Sequence, residues 1–343
     1  MVRFRGEYSM KKIILFRTIS AKTVIIFIII FIFLIVLLWG GVKQVKNLEP
    51  LQVRPGVTYL GEDVGGLQEV ELTRLVTGKV KNVEHPPVEA ELDPINGGVI
   101  PELNGVQVDI EETVRKILKS HPGEEVSPVL LKIEPKTTMK DYPTAPLYRG
   151  SPDKQQISFL VNVAWGNEYI EGMLEVLDRY QVSCTFFFVG KWAEKNPEMV
   201  LQIVSRGHDS ANHGYSDSVL MSQLSPEEME RDIQKTNDVL KELTGSDPLF
   251  FSSHCGEVNE DILEVSARLN MRMVMWSLDT VDWKLPGVEV MADKILGGAH
   301  NGAIVLMHPT EQTPAALEII IMGLQEQGYN LVTLSRLIDP DYH

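Results

Sequence analysis

The strongest constraint on the fold of this 343-residue chain is an alternation of short apolar runs with helical patterns that begins at Gln156. Strands are predicted by the runs ISFLVNV, SCTFFFV, LFFS, MRMVMWSL, GAIVLM and NLVTL, with amphipathic segments between them. One helix is predicted to begin at Ser225, which forms a capping box with Glu228, and to end at Gly245. Because strand–helix units return to the sheet by right-handed crossovers, the strands should be parallel. We therefore predict an α/β fold over residues 156–338, either a barrel or a doubly wound sheet.

A second constraint is an uncharged apolar run of 20 residues from Thr23 to Val42. At 1.5 Å per helical residue it is long enough to cross a hydrocarbon core of roughly 30 Å. The six basic residues before it are typical of a segment retained in the cytoplasm. A cleaved signal peptide, with a shorter apolar region, is the alternative. We predict a cytoplasmic segment over residues 1–22, a transmembrane anchor over 23–42, and later domains outside the cytoplasm at the cell membrane.

A small module and a linker are predicted between the anchor and the alternating region. Amphipathic patterns and a strand-like GVQVDI segment indicate an N-terminal α+β module over residues 48–133. Residues 134–155 are rich in proline and lack apolar periodicity, which is typical of a linker.

The charge of the chain excludes one class of partner. The net charge is −15, and residues 1–43 hold seven of the 32 basic residues and one of the 47 acidic residues. The remainder therefore carries 25 basic against 46 acidic residues, a net charge of −21. A surface this acidic argues against binding to nucleic acid, which needs a basic face. Cys184 and Cys255 could pair outside the cell, although Cys184, in an apolar run, is predicted to be a buried small hydrophobe.

Polar residues and tryptophans follow the predicted strands at the points where the strands end. In parallel α/β folds these carboxyl ends carry the active site, because the loops that follow converge there. Histidine, carboxylate and cysteine side chains are used for metal binding and proton transfer. The candidate site residues are Asn162, Trp165, His213, Asp217, Ser252, His254, Cys255, Asp282, Trp283 and His308.

The motifs around these residues occur in the order VNVAWGN, TFFFVG, RGHDSANHGYSD, FFSSHCGEVN, WSLDTVDW and GAIVLMHPT. In order and spacing they resemble the motifs of the polysaccharide deacetylase family, which has the NodB homology fold. The resemblance covers residues 156–338 and implies a NodB-type distorted (β/α) barrel. The WG turn after the first strand is similar to a subgroup that includes sporulation-associated members.

The resemblance implies a chemistry and shows where this chain departs from it. Family members are mostly metal-dependent hydrolases that remove N-acetyl groups from sugar polymers, which breaks a carbon–nitrogen bond other than a peptide bond. By position, His308 corresponds to the family's general acid and Asp282 to the carboxylate that orients it. Asn162 takes the place of the catalytic base, although an amide takes up no proton near neutral pH. Val163, which cannot ligate, takes the place of a metal-binding aspartate.

The metal site implied by the resemblance is also incomplete. His213 keeps the place of the first metal-binding histidine, and Asp217 replaces the second. Asp217 could still bind a divalent ion, zinc, cobalt or manganese, through oxygen. His254 and Cys255 could join a different metal set at the same mouth. The alternative is that these two residues only pack the loop.

Substrate contacts are predicted for four residues around the mouth. Ser252 takes the place of an arginine in the family's pattern, and His254 lies in the same loop. Trp165 and Trp283 either line a sugar groove or cap the barrel. In the N-terminal module, GVTYLGEDVGGL and IPELNGVQVDIEETV resemble the peptidoglycan-binding repeats found ahead of some cell-wall transpeptidase and VanW-like domains. A spacer is the alternative for that module.

These observations predict a membrane-anchored protein that faces the cell wall. As the resemblance implies, it is expected to act on peptidoglycan or a related N-acetylated glycan as a deacetylase, through a degenerate site whose activity is weak or lost. The competing hypothesis is a non-catalytic glycan-binding or scaffold protein of the cell wall.

Overall fold

The structure is a computed structural model that describes residues 24–26, 28–36 and 52–341. Residues 24–26 and 28–36 are helical. Across the described ranges no helix has both the length and the apolar character needed to cross a membrane. The rest of the predicted anchor, 23–42, and the whole predicted cytoplasmic segment, 1–22, lie outside these ranges.

The regular elements are numbered here in chain order. The strands are β1 (Thr58–Tyr59), β2 (Glu62–Asp63), β3 (Glu91–Leu92), β4 (Val99–Ile100), β5 (Gly105–Val108), β6 (Glu125–Val126), β7 (Leu130–Ile133), β8 (Gln156–Val163), β9 (Thr185–Phe188), β10 (Asp209–Asn212), β11 (Phe250–Phe251), β12 (Arg272–Met273), β13 (Leu278–Asp279), β14 (Ile304–Met307) and β15 (Asn330–Leu331). The helices are α1 (Glu69–Lys79), α2 (Ile110–Lys119), α3 (Asn167–Arg179), α4 (Gly190–Lys195), α5 (Pro197–Ser205), α6 (Pro226–Thr244), α7 (Glu260–Arg268), α8 (Val288–Gly298), α9 (Thr313–Glu326) and α10 (Leu334–Leu337).

The chain divides into two compact units. The described part of the N-terminal unit comprises residues 24–26, 28–36, 52–79 and 109–129, and that of the C-terminal unit comprises residues 80–108 and 130–341. In the N-terminal unit, β1 pairs with β2 in antiparallel and with β6 in parallel orientation. Helix α2 begins after Asp109, whose carboxylate accepts a hydrogen bond from the Glu112 backbone N–H at 2.9 Å.

The unit boundary differs from the predicted boundary at residue 133, because residues 80–108 lie in the C-terminal unit. Strand β5 pairs with β7, and β3 pairs with β4 as a hairpin. Ala90 and Val99 are buried in the same apolar cluster as Leu160 of the large sheet. These contacts join residues distant in sequence, so the local pattern did not reveal them.

The predicted linker, 134–155, is also packed into the C-terminal unit. The guanidinium of Arg272 donates hydrogen bonds to the carbonyls of Met139, Tyr142 and Ala145 at 2.6–2.7 Å. Leu147 is fully buried and forms a parallel bridge with Val274 beside β12. The segment is therefore fixed along one edge of the large sheet.

The large sheet has the order β12-β11-β10-β9-β8-β14-β13, and β15 also pairs with β8. All of these pairings are parallel, as predicted. Within the described residues β12 and β13 do not pair, so the sheet is a curled, open half-barrel. The α/β prediction is confirmed, and the sheet is consistent with a NodB-type barrel. Helix α6 has the predicted capping box between Ser225 and Glu228 and ends at Gly245, whose φ is +78°.

The two faces of β8 pack against different apolar clusters. Phe159, Val161 and Val163 belong to the cluster between the sheet and its helices. Leu160 belongs to the inner cluster of the half-barrel. Because side chains alternate along a strand, Asn162 shares the inner face with Leu160, at the carboxyl end of β8. Asn162 and Val163 therefore face opposite layers.

Candidate functional site

A cavity of about 500 Å³ lies at the carboxyl ends of the strands, within the size range of small-molecule sites. The residues that line it come from loops far apart in the sequence. They include Asn162, Trp165, His213, Cys255, Trp283 and His308. The structure thus gathers six of the ten candidate residues around one cavity. Asp282 does not line the cavity itself but contacts His308, which does.

Asp282 and His308 form a hydrogen-bonded pair on one side of the cavity. Asp282 is completely buried, and its Oδ1 lies 2.9 Å from His308 Nδ1. Its Oδ2 accepts hydrogen bonds from the His308 backbone N–H at 2.6 Å and from Thr313 Oγ1 at 3.2 Å. Three donors therefore hold this carboxylate, and the carboxylate in turn orients the imidazole. The Nε2 edge of His308 is left for the cavity.

The ring of Trp165 lies parallel to that of His308, with an interplanar angle of 4° and a centroid distance of 6.1 Å. Trp165 is 44% exposed, so one face of the indole remains accessible. The next residue, Gly166, has a φ of +80°, and a Cβ there would lie 2.1 Å from the Pro309 carbonyl oxygen. Only glycine allows this close approach, which fixes the loop that carries Trp165 against the loop that carries His308.

Asn162 lies at the end of β8, the strand next to β14, and its amide is incompletely bonded. Its side chain is buried, and Oδ1 has no hydrogen-bond partner among the described residues. A buried acceptor without a partner costs free energy, which a ligand or a water molecule could recover. Val163 is fully buried in the outer apolar cluster and does not line the cavity. It has neither the atoms nor the direction to ligate a metal.

His213 is held as a neutral imidazole beneath the cavity. Its Nδ1 lies 2.7 Å from the Ser252 carbonyl oxygen, which fixes the proton on that nitrogen. Burial, reinforced by the nearby His254, lowers the pKa of His213 well below its usual value. A neutral imidazole with Nδ1 protonated presents Nε2 as an acceptor.

His254 packs edge-on against His213, with ring centroids 4.5 Å apart. Burial lowers its pKa, although the carboxylates of Asp217 and Glu257 oppose the effect. Its Nε2 and the Ser252 hydroxyl are both buried without a hydrogen-bond partner among the described residues. Asp217 itself is exposed, and it does not line the cavity. Neither Ser252 nor His254 is among the cavity-lining residues, and their substrate contacts stay a prediction.

The donor set does not fit a divalent metal. Across residues 24–26, 28–36 and 52–341, three or more His, Cys, Asp or Glu side chains nowhere come together in a way that could hold an ion. The predicted pair of His213 and Asp217 lacks a third ligand because Val163 faces the helices. The alternative set with His254 and Cys255 is not formed either. Among the described residues, a divalent ion therefore has no complete set of ligands at this cavity.

The two cysteines are separate free thiols. Cys184 is fully buried, as predicted, and burial raises the pKa of its thiol. Its backbone N–H donates to His208 Nδ1 at 3.1 Å. Cys255 is exposed at the cavity wall with a φ of +55°.

Sequence reasoning missed two supports of the site. Thr313, which donates a hydrogen bond to Asp282, begins α9 and carries no motif signal beyond its place after β14. Gly256 lines the cavity, and a Cβ there would lie 2.7 Å from the Trp276 ring. Gly256 has a φ of +69°, which favours glycine over other residues. The glycine in the HCGE segment is the sequence signal that could have indicated this tight turn.

Comparison with known proteins places this site in a family. The family model described as polysaccharide deacetylase matches residues 149–274. The uncharacterized protein YlxY of Bacillus subtilis is 35% identical over 261 residues, which cover 76% of this chain and 81% of that protein. The chain belongs to the polysaccharide deacetylase family.

Two other relatives differ in whether they are described as active. A peptidoglycan-N-acetylglucosamine deacetylase of Bacillus cereus is 32% identical over 192 residues, which cover 54% of this chain and 70% of that one. The crystal structure of BA3943, a CE4 family pseudoenzyme of Bacillus anthracis, has a TM-score of 0.69 at 32% identity. The aligned region covers 79% of this chain and 96% of the BA3943 chain. A BA3943 mutant described as having restored enzymatic activity aligns with the same TM-score and identity.

Proposed function

We propose that the C-terminal unit binds an N-acetylated cell-wall glycan, most simply peptidoglycan, in the strand-end cavity without metal-dependent deacetylation. The observation that carries the proposal is the buried amide of Asn162, whose Oδ1 has no partner among the described residues. The names of the Bacillus cereus deacetylase and the Bacillus anthracis pseudoenzyme support the glycan and the loss of chemistry, respectively.

An amide at position 162 suits recognition of an intact acetamido group. Its oxygen can accept the acetamido N–H, and its NH₂ can donate to the acetyl carbonyl. An unprotonated carboxylate offers only acceptors. A general base contributes about 10²- to 10⁴-fold to a rate, so its replacement by an amide removes a large part of the acceleration. The same replacement leaves hydrogen bonding to the uncleaved group in place.

The aromatic rings supply the second part of the binding surface. Trp165 and Trp283 are 44% and 55% exposed and both line the cavity. Such flat faces can pack against the C–H faces of a sugar ring while hydroxyl groups bond to neighbouring polar atoms. The acidic surface outside the first 43 residues disfavours a strongly anionic polymer.

A second candidate function, a weak metal-independent hydrolase, is favoured by the intact pair of Asp282 and His308. Their 2.9 Å hydrogen bond is the arrangement that a general acid needs. In that case acetate release should persist in the presence of chelators and should be lost in His308→Ala. A purely glycan-binding protein should release no acetate, with or without a chelator.

Binding of the full chain to oligomers of N-acetylglucosamine and of glucosamine tests the leading proposal by calorimetry. We expect the acetylated oligomer to bind at least tenfold more tightly. Asn162→Leu should remove most of that preference, because one buried hydrogen-bonding group is worth about 1–3 kcal/mol. The matched control is Asn330→Leu, an exposed position in β15 that pairs beside Gln156 at the other end of β8. Equal binding of the two oligomers, or an unchanged preference in Asn162→Leu, would contradict the proposal.

We also propose that residues 23–42 anchor the chain in the cell membrane with its later residues outside, as the uncharged run and the basic residues before it indicate. Alkaline carbonate extraction should leave the chain in the membrane pellet, whereas a chain with residues 23–42 deleted should be extracted. In this proposal the N-terminal module binds peptidoglycan or acts as a spacer, and a place in sporulation stays a prediction.

A further inference from the structure

A groove of about 400 Å³ lies beside the cavity in the C-terminal unit. One wall is the β3–β4 hairpin, and the second is the segment from Asp141 to Tyr148 that follows it in the chain. Val258 and Leu263 complete the groove. No motif of the family covers the hairpin, which lies outside residues 149–274.

The hairpin wall is held rigidly. Asp93 is buried and pairs with the Arg149 guanidinium at 3.0 Å. The Val99 N–H donates to the Pro146 carbonyl at 2.9 Å, which ties the two walls together. A Cβ at Gly98 would lie 2.6 Å from the Tyr148 ring, so this glycine lets the ring pack directly on the hairpin backbone. A preformed groove needs little ordering when it binds a ligand.

The groove and the cavity lie on either side of one short loop. Gly256 lines the cavity and Val258 lines the groove, so the two spaces share a wall no more than about 7 Å long. Trp276, which lines the cavity, and Tyr148, which lines the groove, pack against the same buried apolar cluster. A linear polymer held in the cavity therefore has only this loop to cross before it reaches the groove.

The chemistry of the groove fits a neutral sugar chain. Tyr142, Tyr148 and Pro143 present flat apolar faces, and Asn96, Thr144 and Asp141 offer amide, hydroxyl and carboxylate groups at its edges. The lining residues include no lysine or arginine. An anionic polymer or the carboxylates of a peptide would meet no compensating charge there.

We propose that this groove is a second sugar-binding site, which holds the residues of the glycan strand that flank the sugar in the cavity. The proposal rests on the proposed function, because it assigns the same strand to both spaces. It adds a binding surface contributed by residues 91–100 and 141–148, and it makes affinity depend on the length of the glycan.

The test measures the affinity of the full chain for N-acetylglucosamine oligomers of two to six sugars. The hexamer should bind at least tenfold more tightly than the dimer. Thr144→Trp, which fills the groove from an exposed position, should abolish this gain and leave the dimer affinity unchanged, and so should Leu92→Lys on the other wall. Glu175→Trp, on the exposed face of α3, is the matched control and should keep the full gain.

Three results would overturn the groove proposal. The first is a wild-type hexamer that binds no more tightly than the dimer. The second is a length gain that survives both Thr144→Trp and Leu92→Lys. The third is a stem peptide attached to a disaccharide that strengthens binding in a Thr144-dependent way while longer sugar chains do not, which would assign the groove to peptide. Absence of binding by any oligomer, the dimer included, would instead refute the proposed function itself.

Discussion

The two sides of the cavity differ in how their polar groups are bonded. On the side of β13 and β14, Asp282 accepts hydrogen bonds from the His308 imidazole, the His308 backbone and Thr313. On the side of β8, Asn162 buries an amide oxygen that has no partner among the described residues. Both sides occupy the ends of neighbouring parallel strands in one curled sheet.

This difference shows that residues can be kept because they stabilise the fold, whether or not they take part in a reaction. The carboxylate of Asp282 accepts its hydrogen bonds from groups of the protein itself, so this side of the cavity stabilises the fold whether or not it catalyses. On the Asn162 side, a buried amide oxygen is still available to accept a hydrogen bond from a ligand. The preserved Asp282–His308 pair is therefore weak support for a reaction. The unbonded oxygen of Asn162 is stronger support for a ligand.

The largest expected effect comes from placing a carboxylate at position 163 and, for comparison, at position 162. Val163→Asp should lower the free energy of unfolding of the C-terminal unit by about 4 kcal/mol, because it puts a charge into the outer apolar cluster. Asn162→Asp, on the cavity face, should cost about 1 kcal/mol or less. Urea unfolding followed by tryptophan fluorescence measures both. Similar losses for the two variants would show that these residues do not face different layers.

Removal of the paired carboxylate should give the next largest effect. Asp282→Ala leaves the His308 backbone N–H and imidazole without their acceptor, and we expect a loss of about 3 kcal/mol in unfolding free energy. Thr313→Val removes one of the three donors and should cost about 1 kcal/mol. A loss below 1 kcal/mol for Asp282→Ala would mean that this side of the cavity is not self-stabilising.

Acid sensitivity is expected from His208, which lies outside both sides of the cavity. Burial lowers its pKa to about 4, so between pH 6.5 and pH 4 the unfolded chain binds a proton that the folded chain does not. The stabilisation is complete above pH 6.5 and falls with decreasing pH, by at most about 1.4 kcal/mol per unit. His208→Asn, which keeps an acceptor for the Cys184 N–H, should flatten this dependence in urea unfolding at several pH values. Parallel pH profiles for the two proteins would contradict this assignment.

The smallest expected effect concerns ligand affinity alone. Trp165→Ala should weaken binding of an N-acetylglucosamine hexamer about tenfold, which is about 1.4 kcal/mol, while unfolding free energy changes by less than about 0.5 kcal/mol. Trp192→Phe, in the apolar cluster beneath α4, is a comparison that leaves the cavity untouched. Unchanged affinity in Trp165→Ala would remove this indole from the binding surface.

Local signals made much of the fold predictable. The alternation of apolar runs gave the parallel sheet, and Ser225 with Gly245 gave both ends of α6. The positions of Asn162 and His308 at strand ends followed from the same pattern. These features depend on neighbouring residues or on one rule of chain topology.

Features that depend on contacts distant in sequence could not be predicted in this way. The β3–β4 hairpin joins the C-terminal unit through buried contacts of Ala90 and Val99, and Arg272 fixes a proline-rich segment that has the composition of a linker. The predicted metal ligands are not brought together among the described residues, for a more local reason. The alternation of β8 directs Val163 toward the helices, and the position of Asp217 relative to the cavity depends on a loop.

The central claim is that the cavity binds an N-acetylated glycan and leaves it intact. One proton NMR experiment on the full chain in mild detergent tests it, with an N-acetylglucosamine hexamer and added zinc in the same tube. Saturation transfer to the acetamido methyl group reports binding, and the methyl resonance of free acetate reports hydrolysis. We predict transfer to the acetamido methyl group that is lost in Asn162→Leu, with no acetate formed. Zinc-dependent release of acetate, or absence of transfer in the wild-type protein, would contradict the claim.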